Sequence, residues 1–444
     1  MRNRFAFMQI SAPSRRRVAG MTLLELMIAL VLSTTVLLGL ITLINSIGIA
    51  NRTQDGLARL QENGRFAVQR IAADVRAASS QHCSNFEIAP SLLAGGGVMY
   101  MNPPRNPTMN FDAGAANPPQ LRMGLPGPVA PYALSSRFFM VGHECTNVAC
   151  NPLPANLNRG VDRLGTGLPA MGTAVGLRAP GADVLTLRYL AGDGAAIVAV
   201  PPGTLQLTNN PAVLALSGFS TMANGDPVWV SDCATSSMFR GQIAGQVISL
   251  GAGNFGTAVL PALQSLLPVV GVVPPRLPVR AFHVPTSLQT ISYFLEVTND
   301  PKIPGRRISS LMRRQNGVAQ VLVEGVERFD LLYGVRNASG ATRFVDAAQV
   351  DALGGAGCSN TLEPGCGWRT IGSVEIFLLL NTVDDVSPRG DNEFRYAWLN
   401  SGAPNIAGTF ENPETLGTLR NGLPAGRMLR REFRTLVSLR GINY

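Results

Sequence analysis

Lysine is almost missing from this chain. Lys302 stands alone among 37 basic residues, and only 15% of the 444 residues carry a charge. Such an arginine bias reflects coding composition more than nucleic-acid binding. No basic run interleaved with aromatics occurs beyond the amino terminus, so no nucleic-acid partner is expected. The formal net charge is +9. Five of those charges are Arg2, Arg4, Arg15, Arg16 and Arg17, in an opening stretch that holds no acid. The pairs Arg306-Arg307, Arg313-Arg314 and Arg430-Arg431 read as solvated strand ends. Histidine is down to His82, His143 and His283, none beside a nucleophile and an acid in sequence. Neither G-x-S-x-G nor H-E-x-x-H occurs. The expectation is therefore a protein that is not an enzyme and takes no cofactor.

Three weaker motifs point the same way. Gly251-Ala252-Gly253-Asn254-Phe255-Gly256 imitates part of a dinucleotide fingerprint but lacks its βαβ setting, so it reads as a loop. Asp384-Asp385 with Asp391-Asn392-Glu393 offers oxygens for calcium, yet lacks the spacing of an EF-hand and reads as a solvated acidic turn. His82 beside Cys83, and His143 two before Cys145, raise zinc. No second pair with zinc spacing follows, and no metal is expected.

A long absence of charge lies between Glu25 and Arg52. From Leu26 to Ile44 the polar side chains are only Ser33, Thr34, Thr35 and Thr42, a stretch close to the ~20 apolar residues that span a bilayer. A carboxylate at the head of such a helix is expensive and marks function. The arginines ahead of it favour a cytoplasmic amino terminus. A secretory signal would place its small-residue cleavage site after the apolar run. Here Gly20 precedes it, so a cut after Gly20 removes the basic leader and leaves the helix on the mature chain.

The spacing Gly20…Glu25 resembles the class III leader of type IV pilins and type II secretion pseudopilins. That resemblance implies cleavage between Gly20 and Met21 by a prepilin peptidase and N-methylation of Met21. It also implies a role for Glu25 in subunit registration, by pairing with a neighbouring subunit's terminal amine. Met21 departs from the family's usual phenylalanine. In lipid an unpaired carboxyl would take up a proton, so a partnered charge of this kind specifies register.

Beyond the membrane-length run, Leu57, Leu60, Ala67, Val68, Ile71 and Val75 recur on one helical face, with Arg59, Glu62, Arg65, Arg70 and Asp74 on the other. One helix is expected from Met21 to about Ala78, with residues 21–50 in the membrane or filament core and 51–80 amphipathic. Gly39, Gly48, Gly56 and Gly64 mark points where it can bend. Strands are expected at 184–190, 290–297, 308–314, 318–323, 327–335, 374–380 and 433–439. The pair Asn316-Gly317 signals a hairpin, and a short helix is expected at 345–353. Residues 90–131 and 251–278 are rich in Gly and Pro and read as loops. The fold class is α+β: a long amino-terminal helix packed on a mainly antiparallel β domain at 81–444.

Cysteines number six, an even count that favours disulfides in an exported chain. Fifteen connectivities are open. Proximity favours Cys145 with Cys150 and Cys358 with Cys366, which leaves Cys83 with Cys233.

The resemblance narrows at Gln61-Glu62-Asn63-Gly64-Arg65-Phe66-Ala67, which is similar to the helix signature of PilW-type minor pilins. Tyr293-Phe294-Leu295, Leu311-Met312-Arg313, Leu322-Val323-Glu324-Gly325-Val326-Glu327, Phe329-Asp330-Leu331-Leu332-Tyr333-Gly334 and Arg430-Arg431-Glu432-Phe433 continue it. Ser231-Asp232-Cys233 resembles the family's central cysteine segment. Between about residues 90 and 225 the resemblance is poor. It implies a low-abundance subunit that primes pilus assembly at the tip, with other minor pilins, the major pilin and a PilY-type adhesin as partners. Before assembly the chain would span the inner membrane once, with its globular domain in the periplasm. The close alternative is a J-type pseudopilin of type II secretion. More distant ones are a membrane-anchored exported enzyme, which predicts a cleft of clustered acid, base or metal ligands, and a DNA-uptake pilin, which predicts an arginine face.

Overall fold

The computed structural model describes residues 22–78, 91–92, 98–99, 108–111, 131–134, 136–146, 148–152, 168–231, 236–260, 279–336, 341–353, 365–386 and 428–439. The chain divides into two units, Met1–Asp55 and Gly56–Tyr444. One helix, α1 (Leu23–Ala78), runs through the boundary.

In the first unit every described side chain from Thr22 to Arg52 is exposed. An 18-residue window there has a mean hydropathy of 2.5, long and apolar enough to cross a membrane. Ser33, Thr34, Thr35 and Thr42 return their hydroxyls to the helix's own carbonyls three residues back, at 2.8–3.0 Å. Polar side chains satisfied in this way remain compatible with lipid.

In the second unit α1 turns a stripe inward: Leu60, Gly64, Ala67, Ile71, Asp74, Val75 and Ala78 are buried. Steps of three and four residues follow the helical period. Asp74 belongs to this stripe, three residues after Ile71 and four before Ala78. That corrects the expectation that it lies on the polar face.

Two antiparallel sheets share one core with this stripe. The first is built from β1 (Met140–Cys145), β2 (Cys150–Asn151), β3 (Val184–Leu190), β10 (Leu288–Asn299), β11 (Arg307–Gln315) and β12 (Val318–Glu324), in the order β12-β11-β10-β3-β1-β2. The second holds β13 (Val326–Arg336), β14 (Thr342–Val345), β15 (Ile371–Asn381) and β16 (Arg430–Ser438), in the order β14-β13-β15-β16. Each expected strand is present within a few residues of its predicted bounds. Asn316 (φ 49°) and Gly317 (φ 90°) form the two-residue turn between β11 and β12, and Gln315 pairs with Val318. The short helix α4 (Ala347–Ala352) opens on a capping box between Asp346 and Gln349.

The sequence did not foretell what lies between β3 and β10. Six strands occupy that interval: β4 (Ala195–Ala199), β5 (Thr204–Leu207), β6 (Pro227–Ser231), β7 (Ser236–Ala244), β8 (Val247–Leu250) and β9 (Arg280–His283). They pair in the order β6-β9-β4-β5-β8-β7, and β7 pairs again with β6. The ring therefore closes into a small antiparallel barrel, which removes the open edges of a sheet. Its interior is apolar, with Ala195, Ile197, Leu205, Leu207, Val228, Phe239 and Ile248 buried. The short helix α2 (Pro211–Leu216) lies between β5 and β6, and α3 (Val284–Ser287) follows β9.

Within 90–131, read as loop, Thr108–Met109 pairs with β7, and Met109 and Phe111 are buried. They join Phe138, Phe139, Trp229 and Phe282 in an apolar cluster that seats the barrel on the rest of the unit. Of the second such stretch, 251–260 forms turns, in which Asn254 Nδ2 donates to the carbonyls of Arg240 and Gly251. Residues 261–278 lie outside the described residues. Gly251–Gly256 itself lies in these turns.

Candidate functional site

Glu25 heads α1, and its geometry follows from helix ends. The first turn has N–H groups without intrahelical partners. Thr22 and Glu25 satisfy them reciprocally. The Thr22 N–H donates to Glu25 Oε2 at 3.0 Å, the Thr22 hydroxyl donates to the same oxygen at 3.1 Å, and the Glu25 N–H reaches Thr22 Oγ1 at 3.3 Å. This is a capping box, with the acid on the positive end of the helix dipole. The carboxylate is exposed and held toward the helix start, where a cation from another chain could reach it. Gly20 and Met21 lie outside the described residues.

A second constellation centres on the buried Asp74. Its carboxylate accepts from Tyr293 (2.5 Å), Tyr189 (3.1 Å) and Arg313 Nε (2.7 Å), with Arg70 Nε at 3.8 Å. Burial, then the Asp74 charge, pushes Tyr189 up to about 12 and Tyr293 higher still. Burial pulls Arg313 down, but the bond to Asp74 outweighs it and raises the guanidinium overall. The cluster pins the helix to β3, β10 and β11. Its signal in the sequence was an acid standing on an apolar stripe.

Arg313 is thus a half-buried ion-pair partner, and others of the arginine pairs are also engaged. Arg430 donates to Glu327 at 2.8 Å, with both side chains nearly inaccessible, and the buried Arg314 donates to Gly317 O. Arg306 pairs with Asp300 and Asp385. At Arg306, Arg313 and Arg430 these ion pairs replace the expected solvated strand ends, because a carboxylate meets each guanidinium, whereas Arg431 is exposed as expected. Lys302 pairs with Asp384, so both acids of the Asp384-Asp385 turn are ion-paired. Asp391, Asn392 and Glu393 lie outside the described residues.

A third group is buried where the two sheets adjoin. Asp183 accepts from the N–H groups of Cys145 (3.1 Å) and Leu331 (2.9 Å). Burial and the neighbouring Glu144 raise it well above the carboxylate range. Burial, with Asp330 and Asp346 nearby, pushes Glu144 up to about 8. The His143 Nδ1 lies 2.6 Å from Pro152 O, and burial pulls its ring down to about 4. His283 meets Asp226 at 3.0 Å and the Thr286 hydroxyl at 3.3 Å, a juxtaposition invisible in sequence. That hydroxyl also donates to His283 O at 3.0 Å, a local helix-start bond. His82 lies outside the described residues.

The disulfide Cys145–Cys150 joins β1 to β2, and Arg178 Nη1 reaches both sulfurs at 3.4 and 3.0 Å. Cys366 is also disulfide-bonded. Cys83, Cys233 and Cys358 lie outside the described residues, as do the pairings expected of them. Among the described residues no group of three or more His, Cys, Asp or Glu could hold a metal ion.

Two family matches bracket this geometry. Residues 15–41 match the prokaryotic N-terminal methylation motif, and residues 293–441 match the family Type IV Pilus-assembly protein W. Together they fit a type IV minor pilin. The first match contains Thr22 and Glu25. The second begins inside β10 and runs past β16, so the barrel lies outside it. No curated protein and no solved structure matches the chain.

Proposed function

We propose that this chain is a minor pilin that helps initiate type IV pilus assembly within a priming complex at the filament tip. The observation that carries the reading is the capped, exposed Glu25 at the head of an apolar helix, inside a matched methylation motif. A prepilin peptidase would cut after Gly20 and methylate Met21. The helix would hold the subunit in the inner membrane, with the globular unit in the periplasm, until it enters the filament.

Glu25 then acts through charge. The Thr22 bonds fix one carboxylate oxygen and leave the group free to accept further donors. The terminal amine of an adjoining subunit supplies a donor and a counter-charge at once. In a low-dielectric bundle such a pairing strongly disfavours any register that leaves the carboxylate alone. Other minor pilins, the major pilin and a PilY-type adhesin would be the partners.

The test is a pair of variants in a piliated host. Mass measurement of the wild-type mature chain should give an amino terminus at a methylated Met21. Gly20→Asp should leave the leader attached and the protein in the membrane. Glu25→Val should be cut normally yet lower surface piliation severalfold. Normal cutting and normal piliation in both variants would refute the proposal. Lost protein secretion with intact pili would move the chain to a secretion system.

A further inference from the structure

The disulfide Cys145–Cys150 lies at one edge of the first sheet. Cys150 stands on β2, which has only two residues and ends the strand order beside β1. Two register pairs hold β2 there, Glu144 with Asn151 and Cys145 with Cys150. The turn between the two strands is open to water, with Val148 88% accessible. The half-cystines themselves face inward, among Val184, Phe294 and Met312.

A cation reaches into this apolar cluster. Arg178 is buried, and its Nη1 lies 3.0 Å from the Cys150 sulfur and 3.4 Å from that of Cys145. Among the described residues the guanidinium's other hydrogen-bond partner is Pro169 O, at 3.5 Å, and no carboxylate among them meets it. Arg328 and Arg430 also have buried side chains, and each has a carboxylate oxygen at 2.8 Å. Burial pulls Arg178 below the usual guanidinium range, with no nearby acid to offset it. His143, two residues before Cys145 on the same face of β1, brings no anion. Burial pulls its ring down to about 4, so it is neutral near pH 7. A disulfide sulfur is a weak acceptor, so a buried cation gains little from it. A thiolate would be a full counter-charge. The guanidinium is already desolvated with the disulfide closed, so that pairing favours the reduced state without a new burial cost on the cation's side.

We propose that Cys145–Cys150 is a thiol–disulfide exchange site whose substrate is a dithiol, with Arg178 as the resident counter-charge of the released thiolate. Local opening of the two-residue β2 presents the Cys150 sulfur, on the more accessible of the two residues. A thiolate of the dithiol attacks it. The S–S bond breaks, and its electron pair passes to Cys145 Sγ, which leaves as a thiolate beside Arg178 Nη1. The dithiol's second thiolate then attacks its own sulfur in the mixed disulfide and expels Cys150. The dithiol ends as a disulfide, having given up two electrons and two protons. One proton goes to Cys150 and the other to water. A neighbouring arginine lowers a thiol's pKa, and a leaving thiol of lower pKa departs faster. Apolar burial without the arginine would do the reverse. The bond is therefore a reversible tie: once it opens, hydrogen bonds alone keep β2 and its exposed turn at the sheet edge.

The experiment equilibrates the purified full chain, in detergent at pH 7, with mixtures of reduced and oxidised dithiothreitol. Alkylation and peptide mass mapping then report Cys145 and Cys150 apart from the other cysteines. In the reduced protein, the pH dependence of alkylation should give one thiol of the pair a pKa of about 6, against the usual ~8.5. Arg178→Gln should return that thiol to ~8.5 or above, and shift the equilibrium with dithiothreitol about tenfold toward the protein disulfide. Arg178→Lys should restore most of the difference, which a merely structural role for Arg178 would not require. An unchanged melting curve of oxidised Arg178→Gln would show that the fold survives; should that variant misfold, the thiol pKa of the unaltered protein decides alone. Both thiols at ~8.5 or above in the unaltered protein would overturn the assignment. So would an equilibrium indifferent to Arg178→Gln, or sulfurs that dithiothreitol reaches only when the whole protein unfolds.

Discussion

The ring of Phe433 occupies the space that a side chain at Gly64 would fill: a Cβ there would come within 2.3 Å of it. Helix α1 and strand β16 approach this closely because residue 64 is glycine. That gives a physical reason for the glycine in Gln61–Ala67, the segment similar to the helix signature of PilW-type minor pilins.

Gly64→Ala should therefore destabilise the globular unit, although alanine is the better helix former by about 1 kcal/mol. Displacing the ring costs about 1–3 kcal/mol. The net loss should appear as a lower urea midpoint. Combining it with Phe433→Ala should lose less than the sum of the two single changes.

Asp74→Asn should be far more damaging than its small change in shape suggests. Arg313, half-buried beside it, would lose its counter-charge; a fully buried pair broken from one side costs about 3–5 kcal/mol, and partial exposure brings the expected loss to about 1–3 kcal/mol. Denaturant unfolding of the protein would measure this. A loss under 1 kcal/mol would show that Arg313 finds another partner.

Stability should fall as pH rises toward 8. Burial raises Glu144 to about 8 in the fold, against about 4.3 in the unfolded chain. Between those values the native state holds a proton that the unfolded chain has released, so each step up in pH weakens the fold until Glu144 is ionised in both states. His143, pulled down to about 4, acts in the opposite sense between about pH 4 and 6.5. Above about pH 6.5 the carboxyls act alone. Glu144→Gln should flatten the decline from pH 6.5 to 8, which for a single group is at most about 2 kcal/mol.

Cys145→Ser with Cys150→Ser should lower stability by about 2–4 kcal/mol. The change should be confined to the β1–β2 edge, where hydrogen exchange at Thr146 and Asn151 would quicken. Exchange in the barrel should stay as it was.

Much of this architecture was legible in the residues because its signals are local. The span of α1, the strands β3, β10 to β13, β15 and β16 and the Asn316-Gly317 turn each follow from periodicity or turn chemistry within a short window. Asp74 was misassigned for a related reason: a carboxylate is read as outward-facing until the arginine and tyrosines that hold it are known. Those lie 115 to 239 residues away in sequence. Arg313 and Arg430 were misread in the same way, since their partners come from α1 and β13.

The barrel was hidden for a different reason. Its strands are short, β5 and β8 having four residues each, and glycine and proline punctuate the intervals like loops. Closing the ring lets short strands suffice, and that closure is a property of six segments together. Glu25, by contrast, was plain in sequence because a solitary acid ahead of a long uncharged run stands out within one short window.

The hairpin insertion bears on the order of folding. Pairing Leu190 with Leu288 joins strands separated by the whole of the barrel segment, and closing so long an unstructured loop carries an entropic penalty of (3/2)RT ln n plus a constant. A barrel already formed brings those two ends together and removes most of it. Folding should accordingly proceed from the insertion outward, with the central sheet waiting on a module that its family match does not contain. In pulsed hydrogen exchange, amides of β4 to β9 would gain protection ahead of those joining β3 to β10, and the reverse order would refute this sequence of events.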